Sequence, residues 1–335
     1  MNNQQLVSIA IDIPARTNFT YKTDILLKPG QRVLVPFGKR KMLGWVIGPG
    51  VEGPYQYKKI FKVYDEYPLL PQHLLNLAFE IAHMYFCSVG SVLAMMSKNL
   101  SLKKIDTEIK SVSGTKTPDF NNEIADRIFE DINKTGRKFF VCQFNRMEEK
   151  IKFFQALPTK IQGSCAFVIS NYFDAKKHAD TLKNIFGDRV IFFTGESSKT
   201  EKVFLWHRML NEKNLIIIGT RLALFTPVSD LEILIVDEPS EYGHKENQTP
   251  RYTSREVATK ISQLLGIPVV FTVFQPDVTD IFLLKTKKAV LIEAQQRNFP
   301  RVVISRMQGK KHTDILTDTA KHFLEKSVLE KGKVV

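Results

Sequence analysis

Cysteine is scarce in this chain. Its 335 residues hold three, Cys87, Cys142 and Cys165, widely separated and none in a C-x-x-C pair. An odd, scattered set supports neither a disulfide framework nor a four-thiolate metal site, so no zinc is expected. Long apolar runs are missing too. Nothing approaches the ~20 residues that a membrane-spanning helix requires, so no membrane partner is expected. The segment from Met1 to Gln5 is not a charged stretch leading into an apolar one, which argues against a secretory leader. The expected setting is therefore the reducing cytoplasm. Glycine is also absent between Arg137 and Gln162, and no internal repeat is visible.

What the chain does have is basic charge. Lysine and arginine number 48 against 35 acidic residues, a net charge of +13. Such an excess suits a polyanionic partner, because each neutralised phosphate releases counterions. A general lysine bias would give the same sum. The first 65 residues, however, hold ten basic against four acidic side chains, a local concentration. At 43% hydrophobic and 25% charged the chain can build ordinary cores, and its length suggests two or three domains.

Residues 1–65 read as short strands. An apolar run at 6–11, a strand at 31–35 and a return strand at 43–47 surround a basic turn at 36–41, the pattern of a hairpin. Residues 71–96 read as helical, with Leu74, Leu75, Leu77, Ala78, Ile81 and Ala82 on one stripe. Residues 97–118 are rich in Lys, Ser, Thr and Gly, which marks a basic linker. From about 120 onward, near-continuous apolar runs at 139–142, 165–169, 190–193, 215–218, 233–236 and 269–274 alternate with amphipathic stretches such as 174–186 and 200–210. That alternation predicts a parallel α/β sheet covered on both faces, with ligands at the carboxyl ends of its strands. A short strand at 302–304 and a helix at 313–326 are expected near the end.

Two of these strands end in polar groups. Gly219, Thr220 and Arg221 offer an amide, a hydroxyl and a guanidinium, all suited to a phosphodiester. Asp237-Glu238 follows an apolar strand, as does the ATPase pair that holds Mg²⁺ and positions water; alone, such a pair is often just a solvated strand end. The order continues with Pro250-Arg251-Tyr252 and Arg255. Residues 30–40 and 44–46 add a Gly-x-Arg-Val-x-Val-Pro-Phe-Gly-Lys-Arg run and a Gly-Trp-Val. Together these motifs resemble the PriA family, the replication-restart helicases also called primosomal protein N′. The resemblance spans roughly residues 5–330.

The resemblance implies an α/β protein in which a small, mostly-β amino-terminal domain binds the 3′ end of a DNA strand and precedes a RecA-like lobe. Residues 1–96 would be the DNA-binding domain, 97–118 the linker, 119–300 the first helicase lobe, and 301–335 a tail or the start of a second lobe. It also implies a terminal-nucleotide pocket at Phe19, Thr20, Tyr21, Gly38 and Lys58. An aromatic can stack a base, Gly lets backbone approach closely, and Lys faces a phosphate. Strand packing is an equal explanation for Phe19 and Tyr21. Lys39 and Arg40 are read as a phosphate patch, although a solvated turn would have the same composition. Thr20 stands where the family has Asp, which weakens the expected hold on a 3′ hydroxyl. Gly219, Thr220, Arg221, Arg251, Tyr252 and Arg255 are the expected DNA contacts of the lobe.

The phosphate loop expected after the strand at 139–142 reads Gln143-Phe144-Asn145-Arg146-Met147-Glu148-Glu149-Lys150. It is glycine-free, and its two glutamates would repel a nucleotide; Lys150 is expected to pair with a helix neighbour. Asp237 and Glu238 are then vestigial, Pro239-Ser240 replaces the family's Glu-His, and residues 272–276 keep only the Pro of "GSATP". Two readings stay open. One is a DNA-binding protein for forks and single-stranded 3′ ends, without ATP hydrolysis or cofactor, partnered by primosome or single-strand-binding proteins. The other is an ATP- and Mg²⁺-dependent 3′–5′ helicase completed by a partner or a further segment. No winged-helix insert or zinc module is expected.

Overall fold

The computed structural model describes residues 5–97, 100, 120–136, 138–294 and 317–329. The basic linker and the strand expected at 302–304 lie outside them. The described residues up to Ala294 form one compact unit. The helix Asp318–Leu329, near the one expected at 313–326, belongs to a second.

The amino-terminal strands are β1 (Gln5–Ile11), β2 (Phe19–Thr23), β3 (Arg32–Phe37), β4 (Arg40–Pro49) and β5 (Lys62–Val63), in the sheet order β2-β1-β4-β3-β5. Pairing within this sheet is antiparallel. The β3–β4 hairpin is tighter than the sequence suggested. Phe37 pairs with Arg40, leaving Gly38 and Lys39 as a two-residue turn in which Gly38 takes φ +56°. Such a turn needs positive φ, which glycine adopts without strain. Residues just before β5 close the sheet on itself: Lys22 N–H donates to Lys58 O (3.0 Å), Ile60 N–H to Lys22 O (3.1 Å) and Phe61 N–H to Leu34 O (2.9 Å). The result is a small barrel with Val7, Ile9, Ile11, Tyr21, Val33, Val35 and Val46 inside.

The stripe at 71–96 forms two helices rather than one, α1 (Gln72–Met84) and α2 (Val89–Met96). Phe86 adopts φ +52°, and the Ser88 hydroxyl accepts from Ser91 N–H to start α2, so the chain breaks there despite its apolar content. Polar capping chemistry outweighed periodicity.

The second sheet follows α3 (Glu123–Thr135). Its elements are β6 (Phe139–Gln143), α4 (Met147–Ala156), β7 (Ser164–Val168), α5 (Tyr172–Phe186), β8 (Val190–Phe193), α6 (Lys199–Asn211), β9 (Ile216–Gly219), β10 (Leu231–Asp237), α7 (Ser254–Leu265), β11 (Val269–Val273), α8 (Val278–Lys285) and β12 (Val290–Glu293). The order is β12-β6-β11-β10-β7-β9-β8, with every pair parallel. Each apolar run from the sequence became a strand, within two residues at either end. β12 was not foreseen; its four residues at the sheet edge carry too little pattern. Successive strand residues feed opposite faces: Phe140, Cys165, Phe167 and Ile235 go to one core, Val141, Ala166, Val168 and Val236 to the other.

That second core also takes in α1 and α2, so the barrel's helices are built into the lobe. Trp206 on α6 is fully buried and donates from Nε1 to Leu69 O at 2.9 Å. Lys260 on α7 pairs with Glu80 on α1 at 2.9 Å, and the Tyr85 hydroxyl donates to Glu256 while accepting from Thr253 N–H. Replacing Trp206 by Ala should cost about 3–5 kcal/mol, the range for deleting a large buried aromatic. Urea denaturation of the purified chain will check this, and a loss below 1 kcal/mol would place the indole outside the core.

Candidate nucleic-acid interface

The barrel carries the better-formed site. Phe19, Thr20 and Tyr21 on β2, Gly38 in the hairpin turn and Lys58 on the closing segment all line one cavity of about 680 Å³. Residues forty positions apart meet because the closing segment hydrogen-bonds β2 beside them. Phe19 and Phe37 meet edge to face, with centroids 5.1 Å apart. Tyr21 is mostly inside the barrel, where burial pushes its phenol up, so its hydroxyl keeps its proton and donates to Pro36 O at 3.1 Å. Tyr21 therefore does both things weighed for it: it packs the core and supplies part of the cavity wall. No Cβ clash is present at Gly38, so its role is the turn and the open approach it leaves. Lys39 and Arg40 are exposed beside the cavity but outside its lining. Lys41 is held with Nζ 3.1 Å from the centroid of Phe61. The sequence reading missed Glu52, Tyr55 and Tyr57, which also line the cavity. The local signal was there, in aromatics interleaved with Gly and Pro just ahead of Lys58.

In the lobe, Thr220, Arg221 and Tyr252 line a second cavity, of about 420 Å³, together with Lys202 on α6 and Asp12 and Ser91 from the barrel side. Arg221 donates to Gly243 O and lies 3.4 Å from Glu246. Tyr252 is only 2% exposed, and packs edge to face on Phe225. Arg251 is exposed, with its carbonyl held by Lys245.

Two of the expected DNA contacts are placed differently. A Cβ on Gly219 would come within 1.9 Å of Phe193 O, so this glycine is needed for strand packing, and its buried position offers no bare amide. Arg255 is buried in ion pairs with Asp280 and Asp277 (2.5 and 3.1 Å), its guanidinium 4.8 Å from the ring centroid of Phe271. It braces α7 against α8 instead of meeting a phosphate. Spacing alone could not tell a bracing arginine from a ligand-facing one.

Lys150 requires the largest correction. It does not pair along its own helix. It is 1% exposed, and its Nζ reaches across to β10, 2.9 Å from Asp237 and 3.2 Å from Glu238, above the ring of Phe274 (4.1 Å). Asp237 also accepts from the Thr272 hydroxyl at 2.7 Å. Glu238 adopts φ +47°, sparsely populated for a non-glycine residue. That turn returns its carboxylate to Lys150 and to Phe274 N–H at 3.0 Å. Burial, together with Asp237, raises the Glu238 carboxyl above its ordinary range; Lys150 and Phe274 N–H oppose the shift. His244 is buried and held below its usual range by desolvation, so it stays neutral and donates from Nε2 to Asp237 O at 2.6 Å.

The loop before α4 is closed from within. Phe144 N–H donates to Val273 O (2.9 Å), while Asn145 and Arg146 N–H both donate to the Glu149 carboxylate (3.1 and 3.3 Å). Glu149 thus occupies the anion position at its helix's own amino terminus. These amides are partnered within the chain, and the Asp237 and Glu238 carboxylates hold the Lys150 ammonium. Among the described residues no cluster of His, Cys, Asp and Glu is arranged to hold a metal ion, and no helix is long and apolar enough to cross a membrane.

A closed β-barrel with an aromatic, lysine-bearing cavity is thus joined to a parallel α/β lobe with Asp-Glu at a strand end. Residues 8–98 match the model of the 3′DNA-binding domain of PriA. The replication restart protein PriA of Treponema pallidum is 25% identical over 271 residues, 75% of this chain and 41% of that protein. That of Helicobacter pylori is 21% identical over 306 residues, 89% of this chain and 47% of that one. The UvsW helicase of bacteriophage T4 overlaps 56% of this chain and 64% of its own with a TM-score of 0.36 and 12% identity. The chain is similar to these PriA proteins along most of its length, and spans less than half of theirs.

Replacing Lys150 by Met would leave the buried Asp237 and the half-buried Glu238 carboxylates without their cation, a loss of about 3–5 kcal/mol at neutral pH. A carboxyl whose folded pKa is raised favours folding when protonated and opposes it when ionised. The deficit of Lys150→Met should therefore shrink as the pH falls through the raised Glu238 range toward about 4.3, the ordinary value for Glu. Urea titrations of both proteins across that range will check it; a deficit that grows on acidification contradicts the assignment.

Proposed function

We propose that this chain binds forked or 3′-ended DNA in replication restart, and that its lobe holds DNA without hydrolysing ATP. The gathering of Phe19, Thr20, Tyr21, Gly38 and Lys58 around one cavity, inside the segment that matches a 3′DNA-binding domain, carries this reading. The cavity has the parts a terminal nucleotide requires: aromatic edges for the base and a lysine for the phosphate. Thr220, Arg221 and Arg251 are proposed as further backbone contacts, with Lys39 and Arg40 as an exposed basic rim. Primosome and single-strand-binding proteins are the proposed partners, and the cytoplasm the setting.

The proposed absence of ATP hydrolysis draws support from the pairing of Lys150 with Asp237 and Glu238 and of the loop amides with Glu149. A second reading, an ATP-driven 3′–5′ helicase, draws on one observation: a lysine on the helix after the first lobe strand does lie against an Asp-Glu pair. Calorimetric titration of the chain with ATP and Mg²⁺, with and without forked DNA, separates the two. No binding up to millimolar nucleotide is expected. Micromolar affinity, or hydrolysis that Asp237→Asn abolishes, would establish the second reading.

Lys58→Ala should weaken binding of 3′-ended fork DNA and reduce the slope of log K against log salt by about one, the loss of one phosphate contact. Anisotropy titrations over a range of salt will measure both. An unchanged slope removes Lys58 from the interface.

A further inference from the structure

One large ring on the lobe faces water. Phe173, in the first turn of α5, leaves 83% of its surface open. A single exposed phenylalanine is ordinary on its own. This one caps a row of rings. Tyr172 meets Phe173 edge to face at 5.8 Å between centroids, and meets Phe192 on β8 the same way at 5.6 Å. Lys176, in the next turn of α5, holds its Nζ 5.5 Å from the centroid of Phe192. The two inner rings are half-buried and anchored, so the outer one is presented from a firm base.

The row stands at the carboxyl ends of the strands, where parallel sheets receive ligands. It is also continuous with Arg221. Ile169 N–H, at the exit of β7, donates to Gly219 O at the exit of β9 (2.8 Å). Arg221 donates to Gly243 O, and a Cβ on Gly243 would stand 2.1 Å from Ser170 O. The support of Arg221 therefore packs on the turn that leads into α5, and only Asn171 and Tyr172 separate that turn from Phe173.

Charge near the row is close to balanced. Lys176 pairs with Asp180 (2.6 Å), Asn171 donates to Asp174 (2.7 Å), Ser170 donates to Glu241, and Lys177 is exposed beside them. Such a patch is no anion site of its own. It offers an uncharged ring beside an arginine that suits a phosphodiester. An unpaired nucleotide has the matching parts, a flat base and a phosphate, whereas a duplex keeps its base faces inside the stack. An apolar side chain of a protein partner would match the ring and leave the arginine unused.

We propose that Phe173 is a base-stacking residue for single-stranded nucleic acid crossing the lobe, with Tyr172 and Phe192 bracing its ring. The inference rests on the reading of Thr220 and Arg221 as backbone contacts, and it gives that site its preference for unpaired strands.

The test uses the full chain and a small, fluorescein-labelled circle of single-stranded DNA. A circle has no end, so the terminal-nucleotide cavity of the barrel stays out of the measurement. Anisotropy titrations over a range of salt are run for the native protein, Phe173→Ala, Phe173→Trp and Arg221→Gln. Phe173→Ala should bind the circle about tenfold more weakly, the size of one base stack, with an unchanged slope of log K against log salt, because stacking neutralises no phosphate. Arg221→Gln should lower that slope by about one. Phe173→Trp should retain affinity, and its indole fluorescence should be quenched by the circle. On an abasic circle the native protein and Phe173→Ala should bind alike. Native affinity in Phe173→Ala, with weakening in Arg221→Gln, overturns the assignment of Phe173, leaves the backbone contacts standing and returns the ring to a protein partner. A Phe173→Ala deficit that persists on the abasic circle overturns stacking as well. No effect of either change overturns both readings. Phe173 is outside the core, so its truncation does not confuse binding with loss of folding.

Discussion

The lobe is organised around one buried cation. Lys150 sits between Asp237 and Glu238, and through them ties α4 to β10 and to the carboxyl end of β11 at Thr272 and Phe274. Two buried charges, Lys150 and Asp237, and the half-buried Glu238 are tolerable only because each is paired and hydrogen-bonded. The same arrangement explains the unusual backbone of Glu238, since its positive φ points the carboxylate back at the ammonium. A few residues away the signs are reversed. The loop amides, which would face an anion in a nucleotide-binding lobe, meet the Glu149 carboxylate instead. Cation and anion positions are both filled from within the chain.

The barrel solves a different problem. An open five-stranded sheet would leave unpaired backbone groups along two edges. The segment before β5 joins them by bonding β2 on one side and Leu34 of β3 on the other. Closure brings Lys58 next to Phe19 and Thr20, so the step that stabilises the barrel also assembles the cavity. The core residue Tyr21 shows how closely the two are joined, for its ring belongs to both.

Much of this was legible beforehand. The lobe strands were readable because a strand buried on both faces must be apolar throughout, and each such run was found in the sheet. The barrel pocket was legible only through family resemblance; nothing in local spacing brings Gly38 to Lys58. What stayed hidden were interactions set by tertiary geometry. Lys150 looked like a lysine paired along its own helix, and only the approach of α4 to β10 shows its partners. Arg255 and Gly219 fitted a DNA-contact motif, yet are consumed by a buried ion cluster and by sheet packing. The break at Phe86 escaped a periodicity argument because the apolar stripe continues through it.

The hydrogen bond from Trp206 to Leu69, with Lys260–Glu80 and Tyr85–Glu256 beside it, makes the junction between barrel and lobe a packed interior instead of a hinge. Two cavities mounted on one rigid frame keep a constant separation. A nucleic acid bound as proposed to both would have to bridge that span with a set number of nucleotides, so the packed junction would turn spacing along a strand into a condition for binding.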